Sequence, residues 1–177
     1  MSDFTTTADV KEYLGITVST SDALIARLIT AASAWMINYM SYNPFSATYV
    51  DIKNGSGTKS MTFGAYPITG VNSVTVDDVA VDLDYIRYRD ATITRTDGYI
   101  FPMTSEVSVS FTAGYAAIPA ELAQACIEIV CWRFKERDRI GQSMKAEGAH
   151  GNVTYQTKDI PASSKTILDQ WRRRFPL

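Results

Sequence analysis

Histidine and cysteine are nearly missing from this chain of 177 residues, and that shortage excludes more chemistry than any motif supplies. With His150 the only histidine, a Ser/His/Asp or Cys/His arrangement has one available base, placed in the glycine-flanked stretch Gly148 to Gly151. A zinc site of the usual type needs more than one histidine and two cysteines. Cys126 and Cys131 lie five apart on one expected helix and face different directions, so no disulfide forms between them and both read as small core residues. A surplus of charge is also lacking: the formal net charge is -2, which gives no overall attraction to nucleic acid. Apolar runs are broken before the length of a membrane span, and MSDFTTTADV lacks the basic and apolar parts of a secretory signal. The expectation is a soluble cytoplasmic product with no catalytic residues, cofactor, metal or membrane association.

What the chain does have is 46% hydrophobic residues, enough for one domain or a helical domain with an insertion. The richest stretch is FTAGYAAIPAELAQACIEIVCWRFKERDRIG, Phe111 to Gly141, which joins a strand to a long helix. Gly114 permits the turn and Pro119 suits a first helical turn. At helical spacing Leu122, Cys126, Ile129, Val130 and Phe134 cover more than half of the circumference, leaving Glu121, Gln124, Glu128 and Lys135 on a polar stripe. Trp132 and Arg133 sit at the borders of these faces, where either boundary packing or contact with a partner explains them, and Arg137 and Arg139 belong to the charged exit that Gly141 closes.

Upstream, Thr6 or Thr7 caps a short helix to Leu14, and Ser19 with Asp22 resembles a capping box for a second long helix to about Met40. Small residues at its centre, Ala31 to Ala34, invite the helix after Pro119; Ala31, Ala32, Cys126, Ile129 and Val130 are the expected contact. From Tyr42 to Thr112 the period changes to two: YVDIKN, SMTF, VNSVTV, YIRY, ATITRT, YIFP and EVSVSF read as short antiparallel strands. Asn54 to Gly57 and Asp77-Asp78 suit hairpin turns. The same turns account for the acidic group Asp77, Asp78, Asp82 and Asp84, which lacks the regular calcium loop, and NGSG lacks the Gly-Lys-Ser/Thr of a phosphate loop.

Beyond Gly141 a polar stretch containing His150 and Tyr155 reads as a flexible loop over 142–160, with one possible strand at Val153 to Gln156. Pro161 then opens a last helix with Ile167, Leu168, Trp171 and Phe175 on one stripe and Arg172, Arg173 and Arg174 at its end, where they are either solvated or paired with a partner's acidic groups. The reading is therefore α+β: a helical core of two long and two shorter helices, with a β-rich antiparallel insertion over 42–112.

The order of the motifs carries further than any one of them. DVKEYLGI, DALIARLITAASAWMINYM, YPITGVNSVTVD, VSVSFTAGYAAIPAELAQACIEIVCWRFKERDRIG and IPASSKTILDQWRRRF together resemble the head-tail connector family of tailed bacteriophages, also called head-completion or adaptor proteins. The likeness covers nearly the whole chain, and its most specific part is FTAGY, a short gap, Ile118-Pro119, a long apolar helix and Arg-Asp-Arg. The long strand-rich insertion departs from shorter members. The resemblance implies a virion protein of the neck, assembled in the host cytoplasm and without enzymatic activity. Its implied partners are further copies of itself in a closed ring of roughly a dozen subunits, the portal protein, and a stopper or tail-completion protein, with genomic DNA passing through unread. Another tier of the neck, or a ligand-binding module in the insertion, is the alternative. Candidate interface residues are Trp132, Arg133, Arg137, Arg139, His150, Tyr155, Trp171, Arg172, Arg173 and Arg174.

Overall fold

The computed structural model describes residues 2–137, 144–146, 152–154 and 160–172. They divide into two compact units, Met1–Ser41 with Pro119–Leu177, and Tyr42–Ile118. The fold class is α+β, as the change of period implies.

The first unit is helical. Helix α1 (Thr7–Leu14) starts in a reciprocal cap: the Asp9 amide donates to the Thr6 hydroxyl and the Thr6 amide to the Asp9 carboxylate. The Thr6 hydroxyl also donates to the Asp9 carboxylate at 2.7 Å, and that bond, with the one from the Thr6 amide, holds the Asp9 carboxyl below its usual range. Gly15, at φ 69°, ends the helix in the left-handed region. Helix α2 (Asp22–Met40) does not open with the expected Ser19 box. Its cap is Ser21, which makes no side-chain cap bond, and Asp22 instead meets Lys11 at 2.8 Å, so a tertiary ion pair has taken the carboxylate.

Helix α3 (Ala120–Glu136) packs against α1, α2 and α4 (Ala162–Trp171). Its buried set, Leu122, Ala125, Cys126, Ile129, Val130, Cys131 and Phe134, follows the expected wide apolar face. On α2 the buried row is Ile25, Ile29, Ala32, Ser33, Met36 and Met40. Ala31 is exposed, which corrects the expectation for that residue: its row, Leu24, Leu28, Ala31, Trp35 and Tyr39, lies one residue off the packed face. The small-residue contact itself is present, with Ser33 Oγ 3.9 Å from Cys126 Sγ. Burial pushes the thiols of Cys126 and Cys131 up to about 11. By length and composition α2 could cross a membrane, but its apolar row faces the other helices of the unit. Strands β8 (Met144–Ala146) and β9 (Asn152–Thr154) pair antiparallel between α3 and α4.

The second unit holds two antiparallel sheets. Strands β1 (Ala47–Asn54), β7 (Glu106–Ala113), β3 (Ile68–Val76) and β4 (Val79–Ala80) lie side by side in that order, and β2 (Ser60–Thr62), β6 (Thr92–Arg95) and β5 (Ile86–Arg89) form the other sheet. β7 is the organising strand: Val107, Val109, Phe111 and Ala113 alternate inward and meet Ile68 and Val74 of β3, Met61 of β2, Ile93 of β6 and Ile86 of β5 in one core. Asp77 and Asp78 form the β3–β4 turn at φ 48° and 63°, a pair of left-handed residues that the Asp-Asp dipeptide tolerates. The turn is pinned to β7 because the Glu106 amide donates to the Asp77 carboxylate at 2.8 Å.

One expected strand is not a strand. The segment YIFP, 99–102, alternates in sequence but forms part of the β6–β7 connection, where Phe101 is fully buried and the Phe101 amide donates to the Thr58 carbonyl at 2.8 Å. A single buried aromatic after exposed Tyr99 and Ile100 gives the segment the composition of a strand without its alternating burial or a ladder.

Candidate interface

The helical unit brings two of the candidate arginines onto one row of rings. Trp35 and Tyr39 stand one turn apart on α2, with ring centroids 5.2 Å apart. Arg133 of α3 lies over Trp35 at 6.0 Å and Arg172, just past α4, over Tyr39 at 5.4 Å. The Tyr39 hydroxyl donates to the Asp169 carboxylate at 2.5 Å, and that acceptor, with partial burial, raises the phenol above its ordinary value. Three helices thus present arginine, indole, phenol and arginine in sequence. Trp35 and Tyr39 lie on the α2 row that falls beside the packed face. The signal for their role, an aromatic pair at i and i+4, is visible in the sequence, but their arginine neighbours come from helices about 100 and 130 positions away.

The candidate tryptophans, Trp132 and Trp171, go elsewhere. Trp132 is half-buried and lines a groove of about 270 Å³ with Tyr13, Glu128, Lys135 and Pro161. Trp171 is half-buried too, and its indole N–H donates to the Glu121 carboxylate at 3.1 Å. Arg137 ends α3 with its guanidinium 4.0 Å from the Phe134 ring. Arg139, His150, Tyr155, Arg173 and Arg174 lie outside the described residues.

What seats α4 is the polar stripe of α3. Leu168 and Ser164 are fully buried, and the Ser163 and Ser164 hydroxyls donate to Glu128 Oε2 at 2.7 and 2.8 Å. Burial works to raise the Glu128 carboxyl, but the two hydroxyls and the Gln124 amide outweigh it and hold the group below its ordinary 4.5. A depressed carboxylate contributes stability above its unfolded value, and loses it as pH falls through the folded one. Replacing Glu128 by Gln should therefore lower the melting temperature at pH 7, and the gap to wild type should close as the pH is taken below 4.5 in thermal scans.

Among the described residues no group of three His, Cys, Asp or Glu side chains could hold a metal ion. The row offers cations and aromatic faces, which suit protein contact.

The model of the head completion protein family matches residues 3–174. The chain belongs to that family. A head completion protein is a structural component of a virion, and the head-tail connection is its place of action. Among solved structures the chain is similar to one in the neck of an empty gene transfer agent particle, computed with C6 symmetry, at TM-score 0.66 and 17% identity over 97% of this chain and 90% of that one. It is also similar to one in the virion of the native gene transfer agent particle, at TM-score 0.65 and 18% identity over 97% and 90%. A third, in the neck of the native particle computed with C12 symmetry, gives TM-score 0.62 and 17% identity over 96% and 89%. These likenesses are of fold. No curated protein sequence matches the chain.

Proposed function

We propose that this head completion protein forms a closed ring in the virion neck, below the portal, and joins the DNA-filled head to the tail as a structural part without enzymatic activity. The family match over residues 3–174 carries the reading, because it spans both units. Support comes from the neck structures of similar fold, solved with sixfold and twelvefold symmetry. A ring of that kind repeats one heterologous contact around an axis and has on the order of a dozen copies. The portal above and a stopper or tail-completion protein below are the proposed neighbours. Arg133, Arg172 and the rings of Trp35 and Tyr39 form the proposed docking row in the helical unit, where exposed Arg172 can meet a partner's carboxylate. The acidic balance of the chain fits DNA that passes without being held.

Native mass spectrometry of the full chain, alone at rising concentration and with the portal protein of the same particle, tests the ring. The expected result is a discrete high-mass species at a multiple of the 19.6 kDa subunit, alone or on the portal. A monomer under both conditions would overturn the proposal.

A further inference from the structure

The strand-rich unit Tyr42–Ile118 has no part in the row just described, and its surface is the unusual one. Among the described residues, every large apolar side chain left exposed belongs to this unit, apart from Tyr13 and Val18. Most of them fall into two groups, at opposite edges of one sheet.

At the first edge, Val50 and Ile52 project from the same face of β1 and are 66% and 59% exposed. Their partners across the ladder are Ser110 and Ser108 of β7. This face carries hydroxyls and aliphatics without charge at its centre, because the charged residues of β1, Asp51 and Lys53, alternate to the other side, where Lys53 donates to the Thr62 carbonyl and lies over the Phe63 ring. β1 is also an edge strand, paired to β7 in an unbroken register from Ala47↔Ala113 to Asn54↔Glu106 and to no other strand among the described residues. Strands left at an edge are usually blunted by shortness, proline, a bulge or an outward charge. Eight residues of β1 have none of these on the exposed face.

At the second edge, beyond β7 and β3, Val79 of β4 is 69% exposed and stands with Tyr85 and Tyr99 around a groove of about 550 Å³. Its base is the Arg95–Asp97 pair at 2.5 Å, both side chains mostly buried, so that cation is already neutralised; Val76, Val79, Ala80, Tyr85 and Tyr99 supply apolar and aromatic walls, and exposed Asp82, which accepts from the Asp84 amide, is the one further charge in the lining. Three strand spacings, about 14 Å, separate β1 from β4.

Two different, largely apolar patches on opposite edges are what a head-to-tail contact needs, since each copy must offer one patch forward and the other back. A single partner outside the ring would explain one patch and leave the other uncovered, and an isologous dimer would use a single patch twice; were the portal and the stopper to take one patch each, no cross-link would join neighbouring copies. Resting on the ring reading above, we propose that the strand-rich unit makes the subunit–subunit contact: the β1 edge of one copy, led by Val50 and Ile52, seats against the groove of Val79, Tyr85 and Tyr99 on the next copy.

Three variants of the full chain test this with the portal protein present: Ile52→Cys, Val79→Cys and the two combined, each treated with a short bis-maleimide. The native thiols are buried and their pKa is raised, so they stay unreactive. The combined variant should give a ladder of covalent multimers on a denaturing gel, while each single variant stays monomeric. Rings that form but leave the combined variant uncrosslinked would overturn the assignment, as would dimers from either single variant. Val50→Asp with Ile52→Asp, at exposed positions and checked for folding by circular dichroism, should raise the concentration needed for assembly by about tenfold or more, as expected for charges forced into an apolar contact. Unchanged assembly of that variant overturns the inference while leaving the ring reading intact. Failure of the wild-type chain to form any ring overturns both.

Discussion

Truncating Ile129 to alanine should cost about 2 to 5 kcal/mol, the range found when a buried aliphatic side chain leaves a cavity that its surroundings cannot fill. Ile129 is fully buried on α3, which packs against α1, α2 and α4 at once, so three elements would have to move to close the gap. Chemical denaturation followed by helical circular dichroism measures the loss. A cost below about 0.5 kcal/mol would place Ile129 at the surface, against the burial of α3.

Replacing Gly114 by alanine should cost about 3 kcal/mol or more, from two sources that act together. Its φ of 105° lies where side-chain-bearing residues are strained, and an added Cβ would stand 2.4 Å from the Phe45 carbonyl oxygen, a backbone atom that cannot rotate away. The site is fixed on both sides, since the Gly114 amide donates to the Pro67 carbonyl at 2.9 Å and the Tyr115 amide to the Pro44 carbonyl at 2.8 Å. The expected result in denaturant titration is a midpoint shift larger than that of any single exposed-strand substitution in the same unit. A shift within error of wild type would show that the junction gives way easily.

Gly114 was also one of the places where sequence alone was informative. A glycine after an alternating strand and before Ile118-Pro119 requires a turn, and Pro119 caps α3 as its lost N–H allows. β7 was legible for a similar reason: EVSVSF alternates cleanly because one face meets the core and the other carries hydroxyls. The phase of α2 was not. Two adjacent apolar rows run along it, so a period of 3.6 identifies a helix without saying which row is buried, and Ala31 went to the wrong one. The Ser19–Asp22 box failed because Lys11, from another helix, holds the carboxylate. YIFP failed because alternation says nothing about a ladder partner. Nor could the sequence assemble the row of Arg133, Trp35, Tyr39 and Arg172, which exists only once α2, α3 and α4 converge.

Those convergences matter through what they leave outside. The helical unit keeps its polar contacts internal through Glu128, Asp169 and Glu121, so α4 is a seated element whose end carries Arg172 outward. The strand-rich unit buries its core completely and yet leaves Val50, Ile52, Val79 and Tyr99 in the open. A single chain in water gains nothing from that exposure, whereas a subunit of a ring does.

Electron cryo-microscopy of the neck in the particle that carries this chain tests the central claim most directly. The account predicts a ring of copies of this fold between the head vertex and the tail, one strand-rich unit against the next around the axis. A neck resolved well enough to trace its chains, with this fold absent from it, would contradict the account.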